Sequence, residues 1–134
     1  MKIVLSAYAA TAAAFLAIDA VWLSTMADRL YRPLLGDMLA PSFALAPAVL
    51  FYLIYIGGIV FFAILPALEQ RRLGKAVLNG AVLGFVAYAT YDLTNQATLK
   101  NWPVIITVAD MIWGTLLTAT ASALGYAAAR RVAG

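Results

Sequence analysis

Three aspartates mark where the chemistry of this chain must lie. Asp19, Asp92 and Asp110 each sit inside an otherwise apolar stretch long enough to cross a bilayer. An ionised carboxylate in such a place costs ~2.5–3.5 kcal/mol on insertion scales, so it is read first as part of a binding, relay or transport site. Trp22 follows Asp19 by three residues and Trp113 follows Asp110 by three, which puts each indole on its aspartate's helical face. Tyr88, Asp92, Asn95 and Gln96 share a stripe on another helix, and Tyr91 precedes Asp92. A ligand-binding set follows: Asp19, Trp22, Tyr88, Tyr91, Asp92, Asn95, Asp110 and Trp113.

The chain has no histidine and no cysteine. Imidazole bases, thiolate nucleophiles and metal sites built from either are therefore excluded. No lysine or arginine lies within the apolar stretches. The carboxyls then need protons, a bound cation or cationic ligand, or Arg29 and Arg32 folding back from the first connection. No cofactor is predicted. A hard divalent cation on Asp19, Asp92 and Asp110 would suit three oxygen donors, but the residues come from separate helices rather than one ligand run. Taken singly, Tyr88, Tyr91, Tyr52 and Tyr55 fit amphipathic packing as well as chemistry. Trp22 and Trp113 could wall a cationic ligand or simply fill the core.

The elements that must position these residues are helices. Of 134 residues 65% are hydrophobic and 11% charged, well outside the range of soluble domains. The expected fold is all-α integral membrane, a single membrane domain over 1–134 built as a four-transmembrane-helix bundle. Its helices are expected at about 3–26, 43–68, 76–99 and 104–129. The first is read as a retained helix and not a signal peptide, because its apolar run continues to Leu23. Between the first two helices, residues 28–41 mix charges with Leu and Met, as an interfacial segment does. Pro33, Gly36 and Pro41 there argue for a short helix or re-entrant turn in place of one long helix.

Charge placement orients the bundle. Lys2, Arg71, Arg72, Lys75, Arg130 and Arg131 fall on one side and Arg29, Arg32 and Lys100 on the other. This excess predicts a multi-pass protein of the plasma (bacterial inner) membrane with both termini cytoplasmic. The net charge of +3 is thus a topology signal, and no nucleic-acid partner is expected. Asp19 lies 17 residues after Lys2, Asp92 17 after Lys75, and Asp110 20 before Arg130. At ~1.5 Å per residue all three stand about 25–30 Å from the inner basic residues, at one level in the outer half. Small residues gather toward the inner half, including Ala13, Gly80, Gly84, Ala121, Gly125 and Ala129. Small faces let helices close up. The bundle is therefore expected to be sealed inside and open outside, with residues 28–41 as a rim.

Five pieces of the chain resemble a bacterial family of small four-helix predicted membrane proteins of unknown function: Asp19-x-x-Trp22-Leu23, Tyr31-x-Pro33, Tyr91-Asp92-Leu93-Thr94-Asn95 with Ala97-Thr98, Trp102-Pro103, and Asp110-x-x-Trp113-Gly114. The resemblance spans nearly the whole chain and implies an integral membrane protein with no established activity. It also tilts the expected ligand toward lipids. The leading expectation is an outward-facing intramembrane polar pocket that binds, and could modify, a lipid or other amphiphilic small molecule. General acid–base work by a carboxyl is open to such a site. The alternatives are a small proton- or cation-coupled transporter and a structural or partner-binding membrane subunit. Membrane lipids, a lipid-like small molecule and a homodimer are the expected partners, and in the partner-binding alternative Gly80-x-x-x-Gly84 is the contact.

Overall fold

Apolar runs of this length leave the backbone one solution in hydrocarbon, which is to satisfy its own hydrogen bonds as helix. The structure, a computed structural model, describes residues 1–42 and 44–134; Phe43, the expected first residue of the second helix, lies outside the described residues. Four helical runs are long and apolar enough to cross a membrane: Lys2–Met38, Leu45–Gln70, Leu73–Thr98 and Val104–Ala133. No strand occurs among the described residues. Large apolar side chains such as Leu5, Leu50, Ile54, Phe61, Val82 and Ile112 point outward. In water so broad an apolar surface would drive association; around a membrane bundle it meets lipid.

The runs break into α1 (Lys2–Met26), a π turn (Ala27–Tyr31), α2 (Arg32–Leu35), a 3₁₀ turn (Gly36–Met38), α3 (Leu45–Ile59), a second π turn (Val60–Ile64), α4 (Leu65–Gln70), α5 (Leu73–Thr98) and α6 (Val104–Ala133). Both π turns end two residues before a proline, Pro33 and Pro66. The cause is steric and electronic: a helical proline lacks an N–H, and its ring collides with the carbonyl four residues back. A turn one residue wider relieves the collision. In the first run it closes with the Arg32 N–H bonded to the Ala27 carbonyl. In the second the Leu65 N–H bonds to the Val60 carbonyl. A regular helix would pair the Phe62 carbonyl with residue 66, which as proline cannot donate. That carbonyl accepts instead from Asn79 Nδ2 of α5 at 3.0 Å.

One sequence expectation changes here. Pro33 does not break the first run, because the π turn absorbs it. The direction changes at Gly36, whose φ of 52° and ψ of −119° suit a residue without Cβ, and Leu39 leaves in extended conformation.

α6 is the central helix. Its buried side recurs at helical spacing from Thr107 through Asp110, Gly114, Thr118, Ala121 and Gly125 to Ala129. Helices in lipid gain little from expelling apolar surface and depend on close packing. At Gly80 an added Cβ would strike Ser122, at Gly84 the Gly114 carbonyl, and at Gly125 Thr11 and Ile64. Ala7, Ala63, Ala67 and Ala76 are also fully buried in this half. The half of the bundle near the termini is therefore tightly closed, as the small-residue pattern leads one to expect. Farther along, Phe15 packs edge-on against Tyr52 and Tyr55 at centroid separations of 5.9 and 5.4 Å.

The Asn79–Phe62 bond predicts a coupled pair. Asn79→Leu should lower stability by about 1 kcal/mol in the native chain. In a Pro66→Ala background residue 66 regains an N–H for the same carbonyl, so the loss should shrink. Equilibrium unfolding of the four proteins in detergent micelles checks this as a double-mutant cycle.

Candidate functional site

α1, α5 and α6 each deliver one aspartate to the interior, toward the end of the bundle that carries the connection after α1. Relative exposures are 8% for Asp19, 0% for Asp92 and 7% for Asp110. Asp110 lies near enough to interact with each of the other two. What surrounds the carboxyls is not basic. The one salt bridge among the described residues joins Arg32 to Asp28 at 3.0 Å, both highly exposed. Arg32 thus engages a surface carboxylate, and Arg29 is exposed.

Phenols and indoles take the place of cations. Asp19 accepts from the Tyr52 hydroxyl at 3.1 Å and from Trp113 Nε1 at 3.2 Å. Trp113 stacks on Trp22 at 4.4 Å with the ring planes 9° apart. Trp22 Nε1 donates to the Tyr31 hydroxyl at 3.0 Å, and Tyr31 donates in turn to Asp110 Oδ1. Asp110 stands within hydrogen-bond reach of Asp92. A continuous line of polar contacts and one stacked pair therefore runs from Tyr52 on α3 to Asp92 on α5. Asp92 is its unsatisfied end: neither of its oxygens receives a donor. Asp110 offers none either while both groups are ionised, since a carboxylate only accepts. One turn along the same stripe, Gln96 Oε1 is likewise buried without a partner.

The rest of the expected set is dispersed. Tyr88 lies half-buried with its ring over Gly114, where an added Cβ would collide with it, so the small residue and the ring fit as a pair. Asn95 is in reach of Tyr91 and not part of the aspartate line. Tyr91 is largely exposed and sets its ring edge-to-face on Trp102 at 5.9 Å. Trp102 donates to Thr107 at 3.1 Å, fixing the turn before α6. Trp22 and Trp113 spend one face each on the other. Among the described residues no three acidic side chains converge in the manner of metal ligands.

Beside the line opens a cleft of about 540 Å³. Leu23, Ala27, Leu35, Met38 and Leu39 supply an apolar wall, Asp110 and Tyr31 polar groups, and Tyr91 and Trp102 the opposite side. Residues 40–42 and Arg32 complete its rim. Only Asp110 and Tyr91 of the expected set reach this cleft.

Sequence reasoning missed Tyr31 as a site residue and left Tyr52 as a packing group. Residues nine apart on a regular helix, at ~100° each, face opposite ways, which sets Tyr31 away from Trp22. The π turn under-rotates the chain and brings the two together. The available signal was Pro33, whose steric demand calls for the wider turn.

The chain belongs to the family described as "Predicted membrane protein (DUF2177)", whose model matches residues 4–127. No curated protein and no solved structure matches it.

Tyr31→Phe removes the hydroxyl that links Trp22 to Asp110. The variant should lose about 1–3 kcal/mol of stability, the cost of stranding a half-buried donor and a buried acceptor. Tryptophan emission should shift as the Trp22–Trp113 pair is freed. Denaturation in micelles followed by fluorescence reads both effects, and unchanged values would remove Tyr31 from the network.

Proposed function

We propose that this membrane protein binds a lipid or other amphiphilic small molecule in the cleft between the first helical run and the Tyr91–Trp102 wall. The observation that carries this reading is the cleft itself: its volume lies in the ligand-pocket range of ~300–1,000 Å³, and its lining is mostly apolar with a few placed polar groups. Asp110 and Tyr31 meet the polar end of the ligand, and Leu23, Ala27, Leu35, Met38 and Leu39 accompany its chain. Asp92, Asp19, Trp22 and Trp113 stand behind and hold the polar end in place. Binding is favoured over transport because Gly80, Gly84 and Gly125 draw the helices together below the site. A solute entering at the cleft would meet a closed half-bundle.

We further propose a plasma-membrane location with both termini cytoplasmic, supported by the six basic residues flanking the terminal side against three on the other. The cleft then opens toward the outer leaflet.

Two experiments test these readings. Mild-detergent purification followed by native mass spectrometry should find an amphiphile retained at near one per chain. Ala40→Trp, at the exposed rim, should cut that retention severalfold with unfolding unchanged. Wild-type protein that carries lipid only in proportion to bulk abundance would overturn the proposal. For orientation, the absence of cysteine gives a clean background. Asn101→Cys should react with an impermeant maleimide in intact cells, and Gly134→Cys only after permeabilisation.

A further inference from the structure

Asp110 is the one carboxyl among the residues that line the cleft. Asp92 is fully buried, yet both its oxygens lack a donor. Asp110, in reach of it, has Oδ1 satisfied by Tyr31 and faces the cleft. Tyr31 spends its single O–H on that bond. The basic side chain on the cleft's rim, Arg32, is already paired with Asp28 at 3.0 Å. The site thus presents the Asp110 carboxyl with the buried Asp92 in reach of it, and neither forms a salt bridge among the described residues.

Ligand chemistries differ in how they answer that need. A carboxylate, phosphate or sulfate head would set another negative group against Asp110 in a poorly solvated cleft, which is strongly unfavourable. An alcohol brings one donor and no charge. A primary ammonium brings one positive charge and three donors. Charge-assisted hydrogen bonds to carboxylate are the strong ones in such surroundings. Tyr91 and Trp102 add π faces to the same cleft, the side-chain type that attracts ammonium. A multivalent metal is a poorer answer, since it calls for six or more oxygens or rigid octahedral geometry.

We infer that the amphiphile of this cleft carries a primary ammonium head, received by Asp110 with Asp92 in reach of it. The inference rests on the amphiphile-binding reading and narrows it to one class. The apolar wall from Leu23 to Leu39 takes the chain of the ligand, so a small soluble amine lacks half of the recognition.

The test compares three diazirine-bearing probes of one chain length, a primary amine, an alcohol and a carboxylic acid. The full-length protein sits in nanodiscs of phosphatidylcholine, a lipid without a primary amine. Photo-adducts on the peptide holding Tyr91 to Ile106 are divided by those on Phe61 and Phe62, which face outward. The ratio cancels partitioning of each probe into the bilayer. The amine should exceed the alcohol by about tenfold or more in this ratio, a factor that charge-assisted hydrogen bonds readily supply. The acid should fall below the alcohol. Asp110→Asn should bring the amine ratio down to that of the alcohol. Excess ethylamine should leave the amine adducts in place.

Equal ratios for amine and alcohol in the wild type, or a higher ratio for the acid, would overturn the inference while leaving amphiphile binding standing. Displacement by ethylamine would overturn the requirement for a chain. Failure of all three probes to enrich at the cleft would overturn the inference and the binding proposal together. The wild-type comparison does not depend on any variant folding.

Discussion

Three carboxyls inside an apolar bundle, with no basic side chain to meet them, set the constraint to which the rest of the structure answers. Burying a charge without a partner costs far more than a marginally stable fold can spare. The chain answers with hydroxyl and indole donors, which deliver N–H and O–H groups without importing further desolvated charge. Tyr52 and Trp113 serve Asp19, and Tyr31 serves Asp110. Each of these donors comes from a different part of the chain than the carboxyl it serves. Solvating the aspartates and fixing the mutual register of α1, α3 and α6 are therefore one task.

The repeated Asp-x-x-Trp spacing shows how helix direction converts a local motif into a tertiary one. Trp22 extends from Asp19 toward the connection end, and Trp113 extends from Asp110 toward the terminal end, because α1 and α6 run in opposite directions. The two indoles approach from opposite sides and stack. Each then points its N–H toward the other helix's carboxyl, Trp113 directly and Trp22 by way of Tyr31. In parallel helices the same spacing would set the rings at matching offsets from their aspartates and neither would cross. The pair resembles a local two-fold arrangement, which requires only reversed direction and no duplication of sequence.

Much of this was legible in the chain and some was not, for reasons that can be named. Helix number follows from residue counting, because a helix in hydrocarbon has a fixed rise and few alternatives. The close approach at Gly80 and Gly84 follows from residue size, and both indeed face α6. Residue spacing placed Trp22 and Trp113 each on its own aspartate's face, which is silent about their meeting. Tyr31 lay out of reach because its facing depends on a π turn, a departure from the period on which face assignment relies. The cleft was harder still. Residues 38–42 line it, their course depends on the positive φ at Gly36, and no periodic pattern carries that information.

The two π turns, with one origin, serve different ends. Pro66 sits where α5 passes close by, and Asn79 takes up the Phe62 carbonyl that proline leaves free. The distortion there becomes a polar clasp between neighbouring helices. Pro33 sits beyond the last tight packing of α1, where no such neighbour is needed. Its π turn instead swings Tyr31 under the extended end of the first run, onto Asp110 and beside the cleft. The same steric collision therefore yields a packing element where the bundle is closed and a site element where it is open. What decides between them is the space around the proline, and in this chain small residues set that space.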